Sequence, residues 1–332
     1  MKILIVKMSS LGDVIQTVPV VHDLLKQFPD ANIDWVVEEA FAPLVHRIEG
    51  VRRVLPLAQR RWRSSWWSEA TRLERHRFDQ ELSLDSYDAV IDFQGLIKSA
   101  LVARSARLNP DGFSATYGNR SDECGYEWPV KWLLQRKMRM PSRIHAVARY
   151  RLLAGLTFGY EPQGKAVYPL FRSLAAKRPT VVLAHGTTRA DNEWNEINWI
   201  EMGRRLIESG QSVALPHANA NEFALCNRIA QALGDKAEVW PLSGLAEIMD
   251  RIANSVGLIG VDSGLSHMAV ALDLPVVQIF SQPRAWRAGP VDCSYQVAVG
   301  GKLAPNADMV WQTWQTVSKE AGLSTLSQPL VY

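Results

Sequence analysis

Asp13 stands where a carboxylate can do chemistry. The apolar run Ile3 to Val6 reads as a buried parallel strand, and Ser9, Ser10 and Gly12 as a short loop. Asp13 then opens a helical pattern whose apolar side is Val14, Ile15, Val18 and Val21. In open α/β sheets, ligands gather at the carboxyl ends of the strands. A carboxylate there, beside a glycine that allows close approach, is a candidate general base. The same position also suits a carboxylate that only caps the helix.

A second cluster is Asp262-Ser-Gly-Leu-Ser-His267, between a buried strand ending at Val261 and a helix. Backbone N–H groups at Ser263, Gly264 and Leu265 would point at an anion, aided by the helix dipole. Gly264 lets a phosphate come close, and His267 lies one turn in. The structural alternative makes Asp262 an N-cap and His267 a packed histidine. Two further loops belong at the same edge. One carries Thr187, Thr188 and Arg189; the other carries Glu222, which suits a ribose diol. Together the three loops suit a nucleoside diphosphate. The chain lacks GxGxxG after the first strand of either half, lacks GxxxxGK[ST], and lacks an aspartate-x-aspartate pair for a divalent metal. A metal-free site that stabilises a leaving group by helix dipole and cations fits this pattern.

The third cluster is basic. Arg60, Arg61 and Arg63 fit phosphate or carboxylate groups, because guanidinium binds both bidentately. Trp62 and Trp66 lie four apart, on one face if a single helix carries both. Three readings are open: a solvated basic helix over buried tryptophans, a nucleic-acid surface, or a site for an anionic acceptor at a membrane. Cations recur at Arg136, Lys137 and Arg139, as a bilayer would favour.

These residues need a frame, and the chain alternates strand and helix signals along its length. Strands are expected at 3–6, 33–37, 51–57 and 87–92, then at 180–184, 212–215, 238–242, 256–261 and 276–280. Regular alternation implies parallel sheets with right-handed crossovers, an α/β fold of two Rossmann-like domains facing across a cleft. Pro19 should split or kink the first helix. Residues 108–142 read as a looser stretch. The expected boundaries are an N-terminal domain over 1–160, a Pro/Gly-rich linker over 161–178 and a C-terminal domain over 179–306. A last helix, within 307–332, is expected to pack back on the first domain.

The 332 residues, 47% hydrophobic and 21% charged, suit a globular protein of about two domains. The net charge of +3 is too mild to imply nucleic acid by itself. Three cysteines without a CxxC pair fit a reducing compartment. No apolar stretch reaches bilayer length, and a cytoplasmic location is expected.

Several stretches together carry a resemblance. They are Lys7-Met-Ser-Ser-Leu-Gly-Asp-Val-Ile-Gln-Thr-Val-Pro19, Asp34-Trp-Val-Val-Glu-Glu39, Arg60-Arg-Trp-Arg63, Tyr87-Asp-Ala-Val-Ile-Asp-Phe-Gln-Gly-Leu-Ile-Lys-Ser99 and Asp262-Ser-Gly-Leu-Ser-His267. In order and along nearly the whole chain, they resemble the lipopolysaccharide heptosyltransferases, the ADP-heptose glycosyltransferase family with the GT-B fold. The resemblance is to the branch that acts on Kdo. It implies inverting transfer of L-glycero-D-manno-heptose from ADP-heptose to a Kdo sugar of Kdo2-lipid A, peripheral to the cytoplasmic face of the inner membrane. It makes Asp13 the general base. It places Thr187, Thr188, Asn192, Glu222, Asp262, Ser263, Gly264 and His267 at the donor, and Arg60, Arg61, Arg63 and Arg120 at the acceptor. No metal or other cofactor is expected, no nucleic-acid partner is implied, and the oligomeric state is left open. The chain departs from the family where a lysine is common, carrying Asn192. Ser64 also replaces a lysine, and Leu11 a methionine. The rival within the family is transfer to a heptose acceptor, which the Arg60-to-Arg63 run disfavours. A nucleic-acid-binding protein is the rival from another class. It leaves Asp13 and the 262–267 loop without a role.

Overall fold

The structure is a computed structural model that describes residues 1–121, 125–171 and 178–323. The chain divides into two units, Met1–Phe171 and Arg172–Tyr332. The first holds strands β1 (Lys2–Val6), β2 (Asn32–Glu38), β3 (Val51–Leu57), β4 (Ser86–Asp92), β5 (Arg107–Tyr117) and β6 (Arg136–Met138). They form one sheet in the order β3-β2-β1-β4-β5-β6, and every pairing is parallel. Ile3, Leu4, Ile5 and Val6 are fully buried, as a strand covered on both faces requires. The strand order reverses between β1 and β4, so a crevice opens there at the carboxyl ends of the two strands.

The second unit repeats the plan with β7 (Thr180–Ala184), β8 (Ser212–Leu215), β9 (Ala237–Val239), β10 (Gly257–Val261), β11 (Val276–Phe280) and β12 (Gln296–Gly300). Its order is β12-β11-β10-β7-β8-β9, again all parallel, with the reversal between β7 and β10.

Pro19 acts as expected. One helix covers Leu11–Thr17 and the next Pro19–Gln27, with the proline at a first-turn position where its missing N–H costs no bond. Thr17 does not cap the second helix; its hydroxyl donates to the Asp13 carbonyl oxygen.

Other expectations change. The stretch read as loose contains β5 and β6. The Asn109-Pro-Asp-Gly112 segment interrupts the apolar pattern of β5, and the register against β4 shifts between Tyr87 and Ala89. A Cβ at Gly112 would lie 2.5 Å from the Tyr87 carbonyl oxygen, so this irregularity needs glycine. The last helix, Ala307–Glu320, was expected on the first domain. Its buried face, Val310, Trp314 and Val317, instead joins the core of the second unit with Val277, Ile279 and Leu206. The proposed linker narrows as well. Leu170 bridges to Ile48 and the Phe171 amide donates to the Arg47 carbonyl, which binds the chain to the first unit as far as 171. The remainder of that stretch up to 177, like 324–332 of the last segment, lies outside the described residues. Among the described residues no helix is long and apolar enough to cross a membrane.

Candidate active site

Asp13 is the third residue of the helix Leu11–Thr17, whose N-cap is Ser10. One oxygen of this carboxylate closes the start of the helix, and the other faces Tyr150 and Lys7. Oδ2 accepts from the Ser10 amide (3.1 Å) and hydroxyl (2.8 Å) and so fixes the helix start. Oδ1 accepts from the Tyr150 hydroxyl at 2.9 Å and lies 4.0 Å from Lys7 Nζ. Lys7 is buried, 4.8 Å from the Tyr150 ring centroid. Burial works against the charge on Asp13. The Lys7 ammonium and the hydrogen bonds from Ser10 and Tyr150 outweigh it and hold the carboxyl well below the usual carboxylate range. The side chain keeps 30% of its exposure, so one edge remains open to a ligand.

The other side of the β1/β4 crevice steadies this loop. Gln94 Oε1 accepts from the amides of Met8 (2.9 Å) and Ser9 (3.1 Å), and its Nε2 donates to the Ser9 hydroxyl. Gln94 is itself fixed by the fully buried Asp92, which accepts from the amides of Gln94 and Gly95 and from the Thr116 hydroxyl. Burial pushes the Asp92 carboxyl up to about 6, against the pull of these bonds. The consequence for stability has a definite sign. Between about pH 4 and 6 the native state binds more protons at Asp92 than the unfolded chain does, so its contribution falls as pH rises through that window. The full effect is up to about 3 kcal/mol. Asp92→Asn should remove it. The stability difference between wild type and variant, measured by urea unfolding, should shift by about 2–3 kcal/mol in favour of wild type from pH 7.5 to pH 4. Parallel curves would rule out Asp92 as the source. Asp13 has the opposite sign, and its contribution fades only below the ordinary carboxylate range.

The arginine run forms a short helix, Gln59–Ser64, directly after β3. Buried Glu38, at the end of β2, accepts from the Arg60 amide (2.9 Å), and the Glu38 amide donates to the Met8 carbonyl (3.1 Å). The basic helix is therefore tied to the loop that leads into the Asp13 helix. The Arg60 guanidinium sits 5.5 Å from the Phe41 ring centroid. Arg61 is held between Glu39 and Glu74, and Arg63 is exposed. Arg120 is exposed in the loop after β5, at the same sheet edge. Trp62 is buried against Phe78, with its Nε1 donating to Glu74. The helix ends at Ser64, so Trp66 does not share the Trp62 face; it lies under the Arg75 guanidinium at 4.0 Å.

In the second unit the expected donor residues meet at the β7/β10 reversal. Asp262 is not the helix cap; Ser263 holds that position before the helix Gly264–Ala271. Asp262 Oδ1 instead pairs with His267 Nε2 (3.1 Å) and accepts from Gln278 (3.0 Å). Burial opposes ionisation of Asp262, yet His267, Arg287 and Arg189 hold its carboxyl below the ordinary range. The Ser263 hydroxyl is buried without a hydrogen-bond partner, at the N-terminus of the helix. Asn192 is buried, with its amide donating to the Asp262 carbonyl (3.3 Å) and accepting from the Ser281 amide (3.5 Å). It therefore joins the loops after β7, β10 and β11. Thr187 accepts from the Arg189 amide within its loop, and Thr188 is exposed. Glu222 accepts from the Ala218 amide (2.7 Å). A Cβ at Gly186 would come within 3.0 Å of the Glu222 carboxylate, so this glycine lets the two loops meet. Among the described residues no group of three or more His, Cys, Asp or Glu is placed to hold a metal.

Two parallel six-stranded sheets, each gathering polar loops at its own reversal point, are the architecture of the GT-B glycosyltransferases. The model of glycosyltransferase family 9 (heptosyltransferase) matches residues 75–314, and the chain belongs to that family. It is 38% identical to lipopolysaccharide heptosyltransferase 1 of Pseudomonas aeruginosa, over 84% of this chain and 78% of that protein. Against the Salmonella typhimurium protein of the same name the identity is 36%, over 84% and 88%. Lipopolysaccharide heptosyltransferase 2 of Escherichia coli is 25% identical over 84% of the chain and 82% of that protein. The structure of E. coli heptosyltransferase WaaC with ADP superposes with a TM-score of 0.84 at 32% identity, covering 96% of this chain and all of that one. The chain is thus a glycosyltransferase of the heptosyltransferase family, as its sequence motifs imply.

Proposed function

We propose that the enzyme transfers L-glycero-D-manno-heptose from ADP-heptose to a Kdo residue of Kdo2-lipid A, with inversion, at the cytoplasmic face of the inner membrane. The observation that carries the choice of acceptor is the 36–38% identity to the heptosyltransferases 1 of Salmonella typhimurium and Pseudomonas aeruginosa, against 25% to the heptosyltransferase 2 of Escherichia coli.

Asp13 is the general base. Its Oδ1 takes the proton of the attacking Kdo hydroxyl as that oxygen bonds to the anomeric carbon and the bond to ADP breaks. A carboxylate so strongly held in its ionised form is a weak base. Proton transfer therefore comes late, once the attacking oxygen is bonded to carbon and its proton has become acidic. Ser10, Tyr150 and Lys7 fix the carboxylate's direction at the expense of its basicity.

The leaving diphosphate is received by the helix N-terminus at Gly264, the Ser263 hydroxyl and His267, without a metal. Thr187 and Thr188 add donors, and Glu222 takes the ribose diol. Asn192 supplies no cation, but it fixes the spacing of the three loops. Arg189 and Arg287 provide positive charge near Asp262. Arg60, Arg61, Arg63 and Arg120 bind the anionic groups of the acceptor.

An ADP-release assay with ADP-heptose tests this reading. Turnover with Kdo2-lipid A should exceed that with its heptosylated product by at least about tenfold, because a second acceptor cannot satisfy the same polar groups. Excess EDTA should leave the rate unchanged. Equal rates on both acceptors would overturn the acceptor assignment, and loss of activity in EDTA would overturn the metal-free step.

A further inference from the structure

Beside the Asp13 crevice, the first unit carries an aromatic surface that the proposed chemistry does not use. The helix Ile97–Ser105 starts three residues after Gln94, the residue that grips Met8 and Ser9. Ile97 and Leu101, one turn apart on it, are exposed, Leu101 by 53%. The Ile97 amide donates to the Glu127 carboxylate at 2.6 Å, which brings the next residue, Trp128, to the same place. Trp128 and Trp132 pack edge to face at 4.6 Å, yet are 62% and 61% exposed. Two paired tryptophans left this open are a costly way to face water alone.

The charge around them is positive. Lys131 Nζ lies 4.9 Å from the Trp132 ring centroid. A depression beside Trp132 is lined by Arg104 and Lys137 together with Leu108 and Leu133. Among the described residues of the patch, Glu127 is acidic, and its carboxylate is engaged by the Ile97 amide. Exposed indole rings, aliphatic side chains and a cation pair over an apolar floor together match the interface of an anionic bilayer. Tryptophan settles at headgroup level there, and each lysine or arginine near the surface adds attraction.

We propose that the face made by Ile97, Leu101, Trp128 and Trp132, with Arg104, Lys131 and Lys137, docks the enzyme on anionic phospholipid. The proposal deepens the lipid-linked acceptor assigned above and rests on it. Docking at this face sets the β1/β4 crevice beside the bilayer, where the sugar of a membrane-anchored acceptor is presented.

Co-sedimentation of the full chain with vesicles of phosphatidylglycerol and phosphatidylethanolamine tests it. Wild type should bind, and binding should weaken with added salt. Trp128→Ser/Trp132→Ser should lower the partition coefficient at least about tenfold. Arg104→Gln/Lys137→Gln should erase the preference over phosphatidylcholine vesicles. With an acceptor stripped of its acyl chains and free in solution, both variants should turn over as wild type does. With the same acceptor lipid-anchored in vesicles, both should be slower. Wild-type partition by both variants would overturn the proposal. So would release of the wild type from vesicles by millimolar inorganic phosphate, which would mark a site for soluble anions. So would lipid-free dimerisation lost in the tryptophan variant, which would make the face an interface between copies. Absence of transfer to either acceptor would overturn the assigned reaction, while the vesicle partition would still decide the docking face.

Discussion

Asp13→Asn should lower kcat about a thousandfold or more, while ADP-heptose binding stays within about twofold of wild type. The amide keeps the size of the carboxylate, and its oxygen can still accept one of the hydrogen bonds now made by Ser10 and Tyr150. It loses the negative charge and all useful affinity for a proton, so the acceptor hydroxyl must attack without a base. General-base assistance is worth about a hundred to ten thousandfold, and a carboxylate directed by two side chains belongs in the upper part of that range. Donor affinity should be spared because the loops proposed for the donor, at Thr187, Glu222 and Asp262, belong to the second unit and Asp13 to the first. The substitution removes the negative charge 4.0 Å from the buried Lys7 ammonium, so thermal unfolding of the variant must accompany the kinetics. Calorimetric titration with ADP-heptose and a single-turnover rate separate the cases. A near-normal rate with normal donor binding would remove Asp13 from the role of base. A parallel loss of both would mark it as structural.

Asp13 was legible in the sequence because strand, loop and helix follow one another within a dozen residues, and that order alone puts the carboxylate at a strand's carboxyl end. Its partner Tyr150 was not, since it arrives from 137 residues further along the chain, inside an ordinary apolar helix pattern. Lys7 carried a readable signal, a lysine directly after a buried strand. The alternation of strands gave away the two parallel sheets. It missed β5, where Asn109-Pro-Asp-Gly112 breaks the apolar pattern, and the edge strands β6 and β12. The final helix is amphipathic, and periodicity says that its apolar face is buried without saying against which sheet. The four-residue spacing of Trp62 and Trp66 misled for a related reason: spacing places residues on one face only while the helix continues, and this one stops at Ser64. Asn192 looked like a missing cation. Its position shows a bridge between the Asp262 carbonyl and the Ser281 amide, contacts made across long sequence separations.

The basic helix gives the second large effect. Arg60→Ala/Arg61→Ala/Arg63→Ala should raise the acceptor KM about a hundredfold, with kcat changed several-fold at most and the KM for ADP-heptose unmoved. All three guanidiniums are exposed, so the fold loses little. The pairs of Arg61 with Glu39 and Glu74 are solvent-screened surface ion pairs, which contribute little to stability. An anionic group of the acceptor that bridges these cations gains charge-assisted bonds of about 1.5–3 kcal/mol each, reduced by solvent at this exposure. Even about 1 kcal/mol from each arginine sums to roughly two decades in KM. The single variants should differ. Arg63→Ala removes a cation and nothing else of note. Arg61→Ala also frees Glu39 and Glu74, whose carboxylates then repel an anionic acceptor, so its KM should rise more than the loss of one contact explains. Restoring charge neutrality with Glu39→Gln in the Arg61→Ala background should recover part of that difference. The acceptor KM of wild type should rise with ionic strength, and that of the triple variant much less. A triple variant that loses donor affinity instead, or one whose acceptor KM is unchanged, would move acceptor recognition away from this helix. Glu38 fixes the helix to the Met8 loop, so the arginines would then serve to place that loop and not to hold the acceptor.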